Sequence, residues 1–430
     1  MAFGSTRARI VLAVGAAAML AAVVVVIGIV PRLIGTPGAP PSSSASATPS
    51  PTTAPGTASP TTAAPAPPSS APPSSPGAAA QSQAQRILAS MSIEQRVGQI
   101  MMVSSPVTGP DSATLDALRR LHVGNVFLKG RTTAGAAAVA GVVGQLRAEA
   151  TADATLGVGQ FVATDQEGGQ VQILRGPGFS SLPSALGQGS MDPSSLRSAA
   201  GQWGRELASV GVNVNFAPVL DTVPSAEFAP SNIPIGHYER EYGFTPDDVA
   251  AHGIAFAQGM ADSGVEATPK HFPGLGRVTA NTDTSRDVSD PAMTRSDPYL
   301  APFAGAVKAG VRWLMVSNAL YPAIDPGNNA VFSPVVIQGM IRGDLGFRGI
   351  VVSDDVCDAA QLSGFLPEHR GSNFLAAGGT MVLCTDQALA PRVWQGIVDR
   401  AQSDPAFART VDGAALAVVE AKADAGLLPH

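Results

Sequence analysis

Val265-Glu266-Ala267-Thr268-Pro269-Lys270-His271-Phe272-Pro273-Gly274-Leu275-Gly276 passes from a short apolar run into a basic pair and then into a Pro/Gly-rich loop, and Asp283 follows in the same loop. A strand that stops in charged side chains before a stiff turn sets polar groups at the mouth of a barrel. The same pattern recurs along the chain. Candidate strands lie at Gln99–Val103, Val123–Leu128, Gly159–Ala163, Val212–Phe216, Val265–Thr268, Trp313–Val316, Ile350–Val352 and Thr380–Leu383. Helical or loop-length segments separate them, which predicts a (β/α)8 TIM-type barrel over residues 86–430. A doubly wound open sheet would carry a Gly-rich phosphate loop after an early strand, and Gly168-Gly169 is too short to be one. Ser92-Ile93-Glu94-Gln95 reads as a capping box at an early helix.

Charge narrows the partners. Three of the 27 basic residues (Arg7, Arg9 and Arg32) precede Arg86, and none of the 33 acidic residues does, so residues 86–430 hold 24 basic against 33 acidic side chains, a formal charge of −9. Such a domain repels phosphate backbones, and nucleic acid is excluded as the expected partner. Two cysteines, Cys357 and Cys384, are too few for a disulfide scaffold or a thiolate metal cluster.

The N-terminus reads as an export signal. Arg7 and Arg9 precede the uncharged run Ile10–Val30, whose 21 residues suffice to span a bilayer as a helix. A cleavable signal has an apolar core of about 7–15 residues with a small-residue site just behind it. Here Pro31-Arg32 follows, and Ala45-Ser46-Ala47 lies far downstream. Residues 1–32 are therefore expected to be a single-pass membrane anchor with the N-terminus inside; the alternative is a secreted protein after signal cleavage. Either topology exports the rest of the chain. Residues 33–85 contain no charged side chain and are dominated by Pro, Ser, Thr, Ala and Gly, a composition expected to form a disordered, extended spacer.

Polar residues gather where the candidate strands end: Asp165, Asp221, Lys270-His271, Ser317-Asn318, Ser353-Asp354-Asp355 and Thr385-Asp386. Barrel active sites occupy that rim. Glycoside cleavage needs one carboxylate to attack the anomeric centre and one acid to protonate the leaving oxygen, and a strand-end Asp with a loop carboxylate meets that need. Other chemistries lack their residues. The six histidines show no HExxH-type spacing, there is no GxSxG turn, and neither cysteine has an obvious His partner. No metal or cofactor is expected.

Several motifs resemble those of the β-N-acetylglucosaminidases of glycoside hydrolase family 3, and together they cover nearly all of residues 86–430. Lys270–Gly276 with Asn281-Thr282-Asp283 is similar to that family's KHFPGHG…DSH signature. Asp165-Gln166-Glu167-Gly168-Gly169-Gln170-Val171-Gln172, followed by Leu182-Pro183, resembles its DQEGG stretch, and Asn215–Asp221 its NFAPVLD strand. Ile235-Gly236, Arg240 and Tyr242-Gly243 resemble IG…R.(F/Y)G, and Ser353-Asp354-Asp355 the SDD motif. The resemblance implies Asp354 as the nucleophile and Asp165, Arg240, Lys270 and His271 as sugar ligands. It also implies retaining hydrolysis of terminal non-reducing β-N-acetylglucosamine from peptidoglycan-derived fragments or other GlcNAc-containing oligosaccharides, by a protein expected to be a monomer.

Two positions depart from the signature. Leu275 replaces its second His, and an ungapped count from Lys270 puts Asn281 at its acid/base Asp and Asp283 at its His. Asp283 is thus the expected general acid/base, oriented by Asn281 or Thr282. A carboxylate there repels phosphate, so hydrolysis is expected rather than phosphorolysis. Another sugar specificity within the family, or a catalytically weak wall-fragment binder, are the alternative functions.

The remaining polar residues have simpler expectations. Glu167 is expected to be structural, Asp355 to cap the following helix, and Asp221 to hold a neighbouring strand end or a sugar. Lys270 has an alternative as an ion-pair partner of Asp165, and Arg277 is a candidate contact for an anionic group. For Cys357 and Cys384, a disulfide and two buried thiols both fit.

Overall fold

The structure, a computed structural model, describes residues 76–429. The expected anchor, 1–32, and most of the expected spacer, 33–85, lie outside these residues. Among the described residues no helix is long and apolar enough to cross a membrane. The first helix, Pro76–Ser90, crosses the expected boundary between spacer and domain at 85/86. Its Gly77-Ala78-Ala79-Ala80 start shows why: alanine has the highest intrinsic helix propensity. Ser92 then caps the helix Ile93–Gln99 in a full capping box, its hydroxyl accepting from the Gln95 N–H while the Gln95 side chain accepts from the Ser92 N–H.

Eight strands follow in the expected order: β1 (Met101–Pro106), β2 (Asn125–Lys129), β3 (Phe161–Thr164), β4 (Val214–Asn215), β5 (Glu266–Ala267), β6 (Trp313–Val316), β7 (Ile350–Ser353) and β8 (Val382–Cys384). β8-β1-β2-β3-β4-β5 form one parallel sheet, and β6 pairs in parallel with β7. The parallel bridges Phe272↔Val316 and Val352↔Met381 join the two pieces into a closed ring. Strands of such a ring are covered on both faces, so they read as continuous apolar runs without alternation; β3, β6 and β7 are buried at every position. Five strands, β1, β2, β3, β4 and β8, begin two residues later than expected, and three of these starts show why. Gln99 closes a helix, Gly159 donates its N–H to the Leu427 carbonyl, and Thr380 and Met381 both bond Val351 before β8 opens.

Aromatic pairs fill the barrel axis. Phe161 meets Trp313 edge-on with ring centres 5.0 Å apart, and Phe127 stacks on Phe216 at 5.6 Å. The C-terminal helix Pro405–Asp424 passes the opposite end of the barrel, where the fully buried Lys422 ammonium donates to the Gln99 side-chain oxygen (2.7 Å) and the Gly124 carbonyl (2.9 Å).

Candidate active site

The C-terminal ends of the strands open into a cleft of about 510 Å3, and Phe127, Phe216 and Met315 give it apolar wall. Asp165, Arg240, Lys270, His271, Asp283 and Asp354, the six candidate site residues, all line it.

Asp165 leaves the end of β3, just ahead of a two-stranded hairpin, Gln166–Gly168 with Val171–Gln172. Gly168 has φ +114°, and a Cβ there would lie 2.0 Å from the Pro183 carbonyl oxygen, so only glycine lets the hairpin lie against the Leu182-Pro183 segment. The hairpin presents Glu167 inward. Its carboxylate accepts two hydrogen bonds of 2.8 Å from the Arg240 fork and stands 2.6 Å from the Lys270 ammonium, which also donates to Asp165 at 2.6 Å. Burial opposes the charge on Glu167, yet Arg240 and Lys270 outweigh it and hold the group ionised, with a pKa of about 2. Burial likewise disfavours charge on both cations. Glu167, with Asp165 beside it, raises Arg240 overall, and Asp165 and Glu167 raise Lys270. The two cations and two carboxylates form a charge-balanced cluster, and of the Lys270 pair Asp165 is the more exposed, its side chain 25% accessible against 4% for Lys270. Arg240 spends a third nitrogen on the Pro234 carbonyl, and the five-donor guanidinium keeps two N–H groups for a ligand. Both expectations for Lys270 thus meet in one place: it pairs with Asp165 and it lines the cleft.

His271 is fixed from behind. The wholly buried Asp221 carboxylate faces the His271 ring Nδ1 at 2.7 Å and accepts from the backbone N–H groups of His271 (3.2 Å) and Leu275 (2.8 Å). With Nδ1–H given to Asp221, Nε2 is the nitrogen left for the cleft. Asp221 therefore holds the neighbouring strand end.

Asp354 follows β7, and its backbone N–H donates to the Val316 carbonyl across the β6–β7 pair. Burial pushes its carboxyl up to about 6; His271 pulls it down, while Asp283 pushes it further up. Asp355 lines the cleft and, against expectation, caps no helix, because a turn follows it. It accepts from the N–H groups of Cys357 (2.9 Å) and Thr385 (3.1 Å) and from the Thr385 hydroxyl, tying the turn after β7 to the end of β8. The Cys357–Cys384 disulfide joins the same two segments, with Cα atoms 5.0 Å apart.

Asp283 stands exposed on the loop after β5. Its backbone N–H donates to the Asn281 side-chain oxygen at 2.9 Å, so of the two expected orienting residues Asn281 is the one that touches it. Arg277 does not reach the cleft. Its guanidinium is held by Asp297 at 2.8 Å and stacks on the Tyr299 ring at 3.8 Å, because both partners lie in the same returning loop.

The sequence reading missed Lys129, Arg131 and Asp358, which complete the cleft wall next to β8. Lys129 contacts Asp358 at 2.7 Å and the Thr385 hydroxyl at 3.0 Å. Lys129 ends its strand, the position that drew notice on other strands, but it lies 229 residues from Asp358.

The arrangement offers one strand-end carboxylate at the cleft floor, one exposed loop carboxylate facing it, and a cluster of charged hydrogen-bonding groups on one side. Residues 92–416 match the glycosyl hydrolase family 3 N-terminal domain. A β-hexosaminidase of Stenotrophomonas maltophilia is 33% identical over 265 residues, which cover 60% of this chain and 76% of the relative. One of Nitrosomonas eutropha is 36% identical over 235 residues, covering 53% and 65%. The crystal structure of a β-N-acetylhexosaminidase from Beutenbergia cavernae superposes with a TM-score of 0.77 at 49% identity, over 78% of this chain and 99% of that one. A family 3 β-N-acetylglucosaminidase from a Paenibacillus species gives a TM-score of 0.69 at 28% identity, over 79% and 64%. The chain is a glycoside hydrolase and belongs to glycosyl hydrolase family 3.

Proposed function

We propose that this protein is an exported β-N-acetylhexosaminidase that removes terminal non-reducing β-N-acetylglucosamine from peptidoglycan-derived fragments with retention of configuration. The observation that carries the reading is that Asp354 and Asp283 share one cleft with the Asp165, Lys270, His271 and Arg240 groups. In the first step the Asp354 carboxylate attacks the anomeric carbon, and the bond to the leaving oxygen breaks as that oxygen takes a proton from Asp283. In the second, Asp283 as carboxylate takes a proton from water, whose oxygen displaces Asp354 from the sugar. Lys270, Asp165, His271 and Arg240 supply charged donors and acceptors for the sugar hydroxyls.

Several features support water over phosphate as acceptor. Asp283, the carboxylate of the second step, presents like charge to an incoming anion, and residues 86–430 are acidic overall. The uncharged run Ile10–Val30 supports export to the wall side of a membrane.

The test is sugar release from aryl β-N-acetylglucosaminide and from a GlcNAc-terminated wall fragment by the full chain in detergent, with and without phosphate. Asp354→Asn is expected to abolish release from both. Asp283→Asn is expected to lower kcat/KM on the wall fragment by about 10^2–10^4-fold, the range for a lost general acid. Release of sugar 1-phosphate, or unchanged fragment cleavage by Asp283→Asn, would overturn the mechanism.

A further inference from the structure

The loop that carries Asp283 is clamped from the segment that follows Asp354. Ala360 donates its N–H to the Asp283 carbonyl at 3.1 Å, and Gln361 donates its N–H to the Thr282 carbonyl at 3.0 Å. The Gln361 side chain then grips the loop a second time: its carboxamide oxygen accepts from the Val288 N–H at 2.8 Å and its nitrogen donates to the Val288 carbonyl at 3.2 Å. Gln361 is only 9% accessible, so these bonds form out of competition with solvent. Asp283 itself is exposed, and among the described residues no side chain bonds its carboxylate. Its placement over the cleft is therefore a property of the loop backbone, and Gln361 meets that backbone at both shoulders of the Asp283 turn. The clamp is anchored on the other side as well, since Cys357, four residues before Gln361, is bonded to Cys384 at the end of β8.

We propose that Gln361 is a positioning residue that sets the separation of Asp283 from Asp354, and so determines proton delivery to the leaving oxygen. The proposal rests on the reading of Asp283 as general acid. An acid displaced by a fraction of an ångström matters when the departing oxygen must be protonated, and little when it leaves unaided.

The experiment compares kcat/KM of the full-length protein on N,N′-diacetylchitobiose, a poor leaving group, and on a 2,4-dinitrophenyl β-N-acetylglucosaminide, a good one. Wild type, Asp283→Asn, Gln361→Met and Gln361→Glu are measured. Gln361→Met keeps the shape of the side chain but removes both bonds to Val288, and Gln361→Glu keeps an acceptor for its N–H. The expected result is that the ratio of activated to natural substrate rises about tenfold or more in Gln361→Met, in the same direction as in Asp283→Asn, with Gln361→Glu between wild type and Gln361→Met. A purely structural role lowers both substrates together and leaves the ratio unchanged, which would overturn the proposal. If the ratio moves in Asp283→Asn but in neither Gln361 variant, the positioning role falls while the acid assignment stands. If Asp283→Asn leaves the ratio alone, both fall. Should Gln361→Met fail to accumulate, the ratio in Gln361→Glu decides by the same criterion.

Discussion

As the proposed nucleophile, Asp354 carries two demands that conflict. A nucleophile must be ionised, while its burial at the cleft floor favours the neutral acid and raises its pKa to about 6. His271 works against that shift, and Asp283 adds to it. The consequence is an acid limb in the pH profile. Below about 6 the free enzyme holds Asp354 protonated, so kcat/KM is expected to fall about tenfold per pH unit there. Initial rates between about pH 3 and 8 check this, and a limb near the ordinary carboxylate value of about 3.9 would show that burial does not raise Asp354. The strand-end carboxylates and the Lys-His pair were legible in the sequence because local motifs carry them. Apart from the Lys270–Asp165 pair, their partners were not. Asp221 reaches His271 across 50 positions, Glu167 reaches Arg240 across 73, and Lys129 reaches Asp358 across 229. A one-dimensional reading ranks such residues by type and has no distances with which to pair them.

Among the elements, the turn after β7 carries the most connections. It holds Asp354, Asp355, the Cys357–Cys384 disulfide and Gln361, and so links the floor of the cleft, the end of β8 and the Asp283 loop. The disulfide closes 27 residues. On a chain-entropy view its loss costs about 3.5 kcal/mol, so Cys384→Ser is expected to lower the denaturation free energy by that order. A denaturant midpoint that does not move would show that the crosslink adds nothing to folding. The order of the strands was legible because each is a buried apolar run ended by polar residues. Their first residues were not, since Gln99 continues the Ser92-capped helix and Thr380 bonds Val351 from just outside β8. The pairing of the cysteines became definite only when adjacent β7 and β8 brought their Cα atoms together.

At the scale of the whole molecule, the barrel has a polar end that holds the cleft and an opposite end closed by the helix carrying Lys422. That ammonium is fully buried, and burial depresses its pKa from 10.5 to about 7. Above the unfolded pKa both states are neutral at this group. As pH falls from about 10.5 to about 7 the unfolded chain binds a proton while the folded Lys422 stays a neutral amine, still able to donate, so stability is lost over that window and stays reduced below it. Lys422→Met is therefore expected to gain in melting temperature relative to wild type as pH falls from 10 to 7; a difference independent of pH would contradict the account of this site. The closed ring itself was legible from the spacing of the apolar runs. Lys422 was not, because nothing local distinguishes it from a solvated lysine on an amphipathic helix.

The central claim is that the sugar is held covalently on Asp354 between the two steps. The most direct measurement is mass spectrometry of the full-length protein after incubation with a 5-fluoro N-acetylglucosaminyl fluoride, which slows breakdown of such an intermediate. The account predicts one sugar per chain, attached to the peptide that contains Asp354 and absent from Asp354→Asn. A label on Asp283 or another carboxylate, or turnover with inversion at the anomeric carbon and no adduct, would contradict it.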